Sequence, residues 1–487
     1  MNFRYVSKVL GMLLAFLSAT MLLPLVWSTG AGETRMVIDF GYSMALGLGA
    51  GGALFFVGRK SSSDFYRREG LAVVSLGWIA GAAVGALPFW FCPEFNPSGG
   101  FIDAYFESMS GFTTTGSTVL ADIDAIPRGL VLWRSFTQWL GGMGIVVLFV
   151  AVLPALGVEG KHLYRVEIPG IQKEGALPRI RDAASLLWKI YVGFTLAEIV
   201  LLMLGGLNFF ESINHTFTTL ATGGFSTRNE SIAAEQFQGT YFPVVFIIFM
   251  VLVGTNFSLY IACLRGRFRD MFRDVEYRTY LGLLLCATVL IALFLVFQSD
   301  VPAGQAIKDS AFQVTSILTT TGYVTADFNE WPQFARVLLV VFMFIGGCAG
   351  STGGAMKVAR VIVVFKMASL QVQKFFFPRM VKQVKLGGKA IPEDTLYGVA
   401  GFFIIFVGSW VLGTLYMSTM CPDLETAATT VISTLGNIGP GLAEVGAVEN
   451  FKWIPAHGKM FLSLCMVLGR LELFTVLVLL VPGFWKE

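Results

Sequence analysis

Ten stretches of mainly apolar residues, each near span length, run through this chain of 487 residues, at about 6–27, 38–57, 70–91, 130–154, 183–205, 240–264, 279–298, 333–365, 396–417 and 458–482. Roughly 20 apolar residues are what an α-helix needs to cross the hydrocarbon core of a bilayer. The composition agrees: apolar residues make up 55% and Asp, Glu, Lys and Arg only 14%, against roughly 25% charged residues in an ordinary globular chain. So few charges cannot cover a water-facing surface, and most of the surface must meet lipid or protein. The first stretch follows Arg4 and Lys8, as a signal peptide would. It is too long for one and lacks a small-residue cleavage site, so it reads as a span.

The connecting loops sort by charge. One set carries Arg59, Lys60, Arg67 and Arg68; then Lys161, Arg165, Lys173 and Arg179; then five arginines from Arg265 to Arg278; then Lys357, Arg360 and six more cations up to Lys389. The alternate loops hold only Arg35, Arg128, Arg228, Lys308 and Lys452. Positive charge stays on the cytoplasmic side, so the first set is inside, and an even number of spans puts both termini inside. The net charge of +3, with no basic run interleaved with aromatics, gives no footprint for nucleic acid. Six scattered cysteines without CxxC spacing read as free thiols, with an outer Cys92–Cys421 bridge as the weaker alternative. Three histidines, His162, His215 and His457, leave little basis for a histidine metal site.

The outer loops contain a repeat. FIDAYFESMSGFTTTG (101–116), NFFESINHTFTTLATG (208–223), IKDSAFQVTSILTTTG (307–322) and CPDLETAATTVISTLG (421–436) align without gaps. Each is too short to span and ends in a Ser/Thr-rich stretch closed by Gly116, Gly223, Gly322 or Gly436; these lie 107, 99 and 114 residues apart. A long fixed period means repeated structural units. The unit is span, short helix, Thr-rich loop, span. Four units use eight spans, and two N-terminal spans stand outside them. Non-helical backbone at membrane depth survives only inside protein or beside a water-filled cavity. Four such loops meeting on one axis satisfy that rule. Carbonyls of a TTTG-type backbone can then replace the water shell of a monovalent cation, and the short helices aim their partly negative C-terminal ends inward. The bland alternative is four unrelated Thr-Gly helix breaks.

TTTGS (113–117), ATGGFST (221–227), TTTGY (319–323) and STLGNIGPG (433–441) resemble the four filter loops of the Trk/Ktr/HKT superfamily of cation transporters. GGCAGSTGGAMK (346–357) resembles the interrupted third-repeat helix of its bacterial members, and the two extra N-terminal spans resemble the TrkH branch. The resemblance implies an all-α polytopic membrane protein: four span–pore-helix–filter-loop–span repeats around one pore, with two added spans. It also implies a homodimer with one pore per subunit and a cytoplasmic ring of TrkA-type nucleotide-binding subunits. On that reading no cofactor resides in this chain, and the nucleotide sits on the separate regulatory subunit. The units divide as 1–66 (two N-terminal spans), 67–160, 161–270, 271–370 and 371–487 (pore repeats 1 to 4). Carried over by position, the potassium filter comprises Thr114, Thr115, Gly116, Ala221, Thr222, Gly223, Thr320, Thr321, Gly322, Leu435, Gly436 and Asn437. Four glycines at the key positions imply potassium rather than sodium, with selectivity loosened where Ala221 and Leu435 replace Thr.

Two features below the filter stand out. Gly346, Gly347, Cys348, Ala349, Gly350, Ser351, Thr352, Gly353 and Gly354 lie mid-span. Each Gly costs a helix about 1 kcal/mol relative to Ala, so the helix should break there. With Lys357 after it, the segment is expected to be an intramembrane gate loop; the alternative is close helix packing. Arg470 lies in the last span, where an ionisable side chain is by default functional. It is expected to project into the cavity below the filter and repel cations, as the matching Arg does in the family. The alternative is an ion pair with another span, such as Glu198. Acids in the outer loops, from Asp103 to Glu449, are expected to form a negative vestibule that concentrates cations. Glu107, Asn214 and Gln313 share one aligned position, broken by Ala427, and read as braces for the short helices. The basic, Phe-rich inner loop 357–390 suits anionic lipid or a regulatory ring.

Channel-like potassium uptake across the bacterial inner membrane is the expectation. The alternative is secondary transport coupled to sodium or proton symport, for which Glu198 and Glu472 are the acids within spans. An intramembrane enzyme lacks its residues: there is no HExxH, no paired intramembrane Asp and no Ser/His set.

Overall fold

A computed structural model describes residues 1–61, 67–97, 99–144 and 180–485. The basic cluster Lys161, Arg165, Lys173 and Arg179, the boundary at 160/161 and the end of the span read at 130–154 fall outside the described residues. Among the described residues six helices are long and apolar enough to cross a membrane, and two further pairs qualify together but are sharply bent.

The N-terminal pair, Phe3–Gly30 and Thr34–Gly58, crosses at contacts only glycine allows. A Cβ on Gly11 would lie 2.5 Å from the Gly51 carbonyl oxygen, and one on Gly51 would lie 2.7 Å from that of Gly11. Small residues let backbones approach where lipid removes any hydrophobic drive to associate.

The other spans form the repeats. Each begins with a span: Arg67–Gly85 continued by Leu87–Phe91, Ile180–Leu204, Val275–Gln298, and Glu393–Met417. Each then has a short helix: Phe101–Phe112, Phe209–Leu220, Ala303–Leu318, and Leu424–Leu435. Asn208 and Asp423 cap two of these, accepting from the backbone N–H groups of Glu211 and Thr426. Beyond their first turns the short helices are almost wholly buried, which is why those stretches are apolar yet rich in hydroxyls: each Ser or Thr can return its proton to a carbonyl one turn back. Thr113, Ser310, Thr319 and Thr434 do so.

Each unit closes with an inner helix, and here the spans depart from expectation. The stretch read as one span at 240–264 is two helices, Tyr241–Val253 and Phe257–Leu264, bent by 91°. That at 458–482 is Ala456–Arg470 followed by Phe474–Leu480, bent by 113° across Glu472 and Leu473, both at positive φ. The break expected in 333–365 is present: helix Gln333–Met343 stops, and Val358–Phe376 begins after a non-helical loop. The first inner helix, Arg128–Gly142, ends at Met143 and Gly144. A two-stranded hairpin, Lys385–Leu386 with Lys389–Ala390, is the only β-ladder among the described residues. All six cysteines are free thiols, so the Cys92–Cys421 bridge is not formed.

Candidate functional site

The short helices end alike. The N–H of Thr115 donates to the Ser110 carbonyl, Gly223 to Thr218, Thr321 to Ser316 and Ile438 to Ser433, at 2.8–2.9 Å. One residue earlier, Thr114, Thr222, Thr320 and Asn437 donate to Gly111, Thr219, Ile317 and Thr434. Together these are the two bonds of a Schellman cap, whose key residue adopts the left-handed conformation. Thr114, Thr222, Thr320 and Asn437 have φ of +54°, +54°, +61° and +53°. Two residues on, Gly116, Gly224, Gly322 and Gly439 are again left-handed, at +88°, +72°, +80° and +109°.

These glycines close a ring. A Cβ on Gly116 would collide with the Gly223 carbonyl oxygen, one on Gly224 with that of Thr321 and one on Gly322 with that of Ile438; one on Gly439 would lie 2.8 Å from that of Thr115. Repeat 1 thus meets 2, 2 meets 3, 3 meets 4 and 4 returns to 1, so the loops surround one axis. The same four glycines border one outer cavity.

The ring corrects the gap-free register in two repeats. Gly116 and Gly322 stay in place. In the second loop the ring glycine is Gly224, one residue past Gly223. In the fourth it is Gly439, three past Gly436. Leu435 is the last residue of its helix, Gly436 continues in helical conformation, and Ala221 caps the second helix. None of the three enters the ring. The layer below the glycines is Thr115, Gly223, Thr321 and Ile438, and the innermost layer is Thr114, Thr222, Thr320 and Asn437. The asymmetry therefore lies at Asn437, Gly223 and Ile438, not at Ala221 and Leu435. The missed residues were Gly224, Ile438 and Gly439. The signal for the last was in the sequence: Asn tolerates the left-handed region, and Asn437-Ile438-Gly439 offers the two left-handed residues at the right spacing.

Polar braces lie behind the ring. The aligned braces shift in the same way: Glu107, His215, Gln313 and Thr430 occupy one register, so Asn214 and Ala427 leave the set. The Glu107 carboxylate accepts from Thr118 Oγ1 and from the Val119 N–H, and pairs with Arg134 Nε at 2.6 Å. Arg134 is buried; it donates to the Ser226 carbonyl and lies 3.4 Å from the centre of the Phe225 ring, joining the first loop to the second. His215 Nε2 meets Ser226 Oγ at 3.3 Å, the same eleven-residue reach as Glu107 to Thr118. Gln138 Nε2 donates to the Gly223 carbonyl at 2.7 Å and fills the space a side chain at 223 would take.

Of the expected vestibule acids, Glu449 alone borders the outer cavity among the described residues, and Arg134 and Arg228 border it too. Arg228 pairs with Asp124 and Glu211. The vestibule acids thus act mostly as structural partners.

Below the ring lies a second cavity, bordered by Gly142, Asn256, residues 350–355, Lys357, Arg470 and Glu472. The loop after Met343 is pinched at its base, where the Gly346 N–H donates to the Met356 carbonyl and the Met356 N–H to that of Phe344. It docks on the break in the second inner helix. That break frees the carbonyls of Val253 and Gly254, which accept from the N–H groups of Thr352 and Cys348; the Phe257 N–H returns a bond to the Gly350 carbonyl. Helix ends in a membrane need such partners. Glu276 Oε1 accepts from the Ala349 and Ala359 N–H groups at 2.6 and 3.0 Å. Lys357 is buried and donates to the Gly353 carbonyl. Next to the pinched base of the loop the Gly354 N–H donates to Thr320 Oγ1 at 2.7 Å.

Arg470 borders this cavity and spreads its guanidinium over three elements. Nη2 donates to the carbonyls of Gly141 and Gly142 at 2.5 and 3.1 Å; Nη1 donates to the Thr352 carbonyl at 2.7 Å and Thr114 Oγ1 at 3.2 Å. Glu472 pairs instead with Arg360, which lies over the Phe402 ring.

The family model of the TrkH cation transport proteins matches residues 42–486. The chain belongs to the TrkH family of cation transport proteins. It is 39% identical to the Trk system potassium uptake protein TrkH of Escherichia coli strain K12, over 100% of both chains. It is 33% identical to TrkG of the same strain, over 99% of each. Among solved structures it matches the crystal structure of the potassium transporter TrkH from Vibrio parahaemolyticus, with a TM-score of 0.88, 34% identity and full coverage of both chains. A multi-pass helical membrane transporter, and not an enzyme, is thereby established.

Proposed function

We propose that this TrkH-family chain takes up potassium across the cytoplasmic membrane through one pore, whose filter is the four-loop ring. The observation that carries this is the closed circuit from Gly116 through Gly223 and onward to Thr115. A ring of four loops in one register can replace the hydration shell of a monovalent cation. Three of its innermost residues are β-branched threonines in a left-handed conformation that costs about 1–2 kcal/mol per residue relative to Gly. Such strain is retained where the side chain is used, and the threonine hydroxyls are the natural inner ligands. Relatives that take up potassium agree.

The loop from Gly346 to Gly354 and Arg470 form the gate: both occupy the space under the ring, and Arg470 keeps its charge at any pH. The charge of the basic loops supports a reading in which the gate side and both termini face the cytoplasm. There a TrkA-type nucleotide-binding ring would dock on a homodimer of this chain. The test is reconstitution of the purified chain with a potassium gradient as the sole drive. Uptake under that gradient supports channel-like conduction; uptake that appears only with a sodium or proton gradient sinks it. The symport reading retains one observation, the buried Glu198 in a span beside the second short helix.

A further inference from the structure

We infer that the gate loop and the innermost filter layer are one device: the closed loop ties up the threonine hydroxyls that would otherwise bind the inner cation. This rests on the proposed filter. Three links carry it. The Gly354 N–H donates to Thr320 Oγ1. Arg470 donates both to Thr114 Oγ1 and to the Thr352 carbonyl, so the loop reaches a second filter threonine through one guanidinium. Asn437 occupies the fourth innermost position; its amide donates to Thr115 Oγ1 and the Met466 carbonyl, and its Oδ1 lies where a Cβ on Gly354 would crowd it, at 3.1 Å.

Thr222 is the exception. Its hydroxyl donates to the carbonyl of the neighbouring Ala221. A hydroxyl oxygen has two acceptor positions. On Thr114 and Thr320 one of them is filled by an N–H donor, beside a guanidinium or a loop backbone. A cation in the innermost layer would face those donors and compete with them for the two oxygens. Opening the loop then does two things at once: it clears the path and returns two oxygens to the ring. Gly354 is glycine because a Cβ there would strike the Gly436 carbonyl, so this part of the loop fits against the filter only without a side chain.

The experiment compares Thr320→Val, Thr320→Ser and Thr222→Val in the full-length chain reconstituted in proteoliposomes, with flux counted per folded molecule by size exclusion and thermal melting. Basal flux without a regulator and the potassium-to-sodium preference are both measured. Thr320→Val is expected to raise basal flux roughly fivefold, the weight of about one net hydrogen bond in a two-state equilibrium. Thr320→Ser should stay near wild type because the acceptor is kept. Thr222→Val removes an inner ligand that has no bond to the loop, so it should lower potassium preference and basal flux together. In a chain lacking Gly347–Thr352, Thr320→Val should raise basal flux no further. Equal basal flux in the two Val variants, or an undiminished Thr320→Val effect in the deletion, overturns the inference. If neither Val variant changes ion preference, the filter reading itself fails, and that outcome is read from selectivity alone.

Discussion

The four short helices close with the same two backbone bonds and the same two left-handed residues, whereas the four helices that follow them end in four different ways. One stops at Gly142, one bends by 91° at Gly254, one opens into the loop 344–357 and one bends by 113° after Arg470. The contrast separates two tasks. Stripping water from a cation needs oxygens at one depth around an axis, which repetition supplies. Closing a pore needs an element with two arrangements, and four identical inner helices would leave no unique element to move. Only the third end carries such a loop, and it is held by the freed carbonyls of Val253 and Gly254 and by Arg470, which is itself anchored on the carbonyls of Gly141 and Gly142.

The harshest way to break the regular half is to add a side chain to its ring. Gly322→Ser and Gly224→Ser should bring the potassium-to-sodium preference close to one, because the new Cβ meets a neighbouring carbonyl and sits at positive φ. Gly223→Ala should be milder, since its Cβ would meet only the movable side chain of Gln138. Ion competition in proteoliposomes decides it. If Gly223→Ala is the more damaging change, then Gly223 and not Gly224 closes the ring in the second loop.

That register marks where the sequence stopped being readable. The spans and the short helices followed from hydropathy and period, because burial in lipid is a matter of composition. The break in the third inner helix followed from six Gly or Ala residues in nine. The register of the second and fourth loops did not follow, because a gap-free alignment keyed on one Gly cannot see which residue closes the cap. The 91° bend was hidden for a similar reason. YFPVVFIIFMVLVGTNFSLYIACL is apolar on both sides of the break, and only Asn256, capping Ser258, betrays it. Charge counts likewise do not show which outer-loop acids already have a partner, as Asp124 and Glu211 do in Arg228.

Still in the regular half, Arg134→Met strands the Glu107 carboxylate in a buried site. Losing one member of a buried pair costs about 3–5 kcal/mol, so the variant should melt well below wild type. Glu107→Gln with Arg134→Met should recover part of the loss. A double variant no more stable than Arg134→Met would mean the pair is not the brace between the first two loops.

In the irregular half, Arg470→Ala should raise cation flux severalfold, and more so at low ionic strength, where the fixed charge is least screened. The same change uncovers the Gly141 and Gly142 carbonyls, so thermal stability should fall by about 1–3 kcal/mol. Arg470→Lys separates the two effects: it keeps the charge but not the planar fork. Flux should stay low in Lys while stability falls. Flux that rises equally in Lys and Ala would assign closure to the hydrogen bonds and not to the charge.

The smallest expected effect tests whether the loop is held from the end away from the ring as well as from the ring. Glu276 stands at the start of its span, after the arginine-rich inner loop, and one carboxylate oxygen accepts from both Ala349 and Ala359. Those N–H groups lie in the loop and at the first turn of the helix after it, so a single side chain fixes the loop's exit. Bonds to a charged acceptor are roughly twice as strong as neutral ones. Glu276→Gln keeps an oxygen in place and removes the charge, which should weaken closure by about 1 kcal/mol or less and raise basal flux by roughly two- to fivefold. Glu276→Leu removes the acceptor and should raise it further, in that order. If neither variant changes basal flux while Thr320→Val does, the loop is anchored by the filter alone. The span beginning at Glu276 would then be a wall of the pore and not part of its latch.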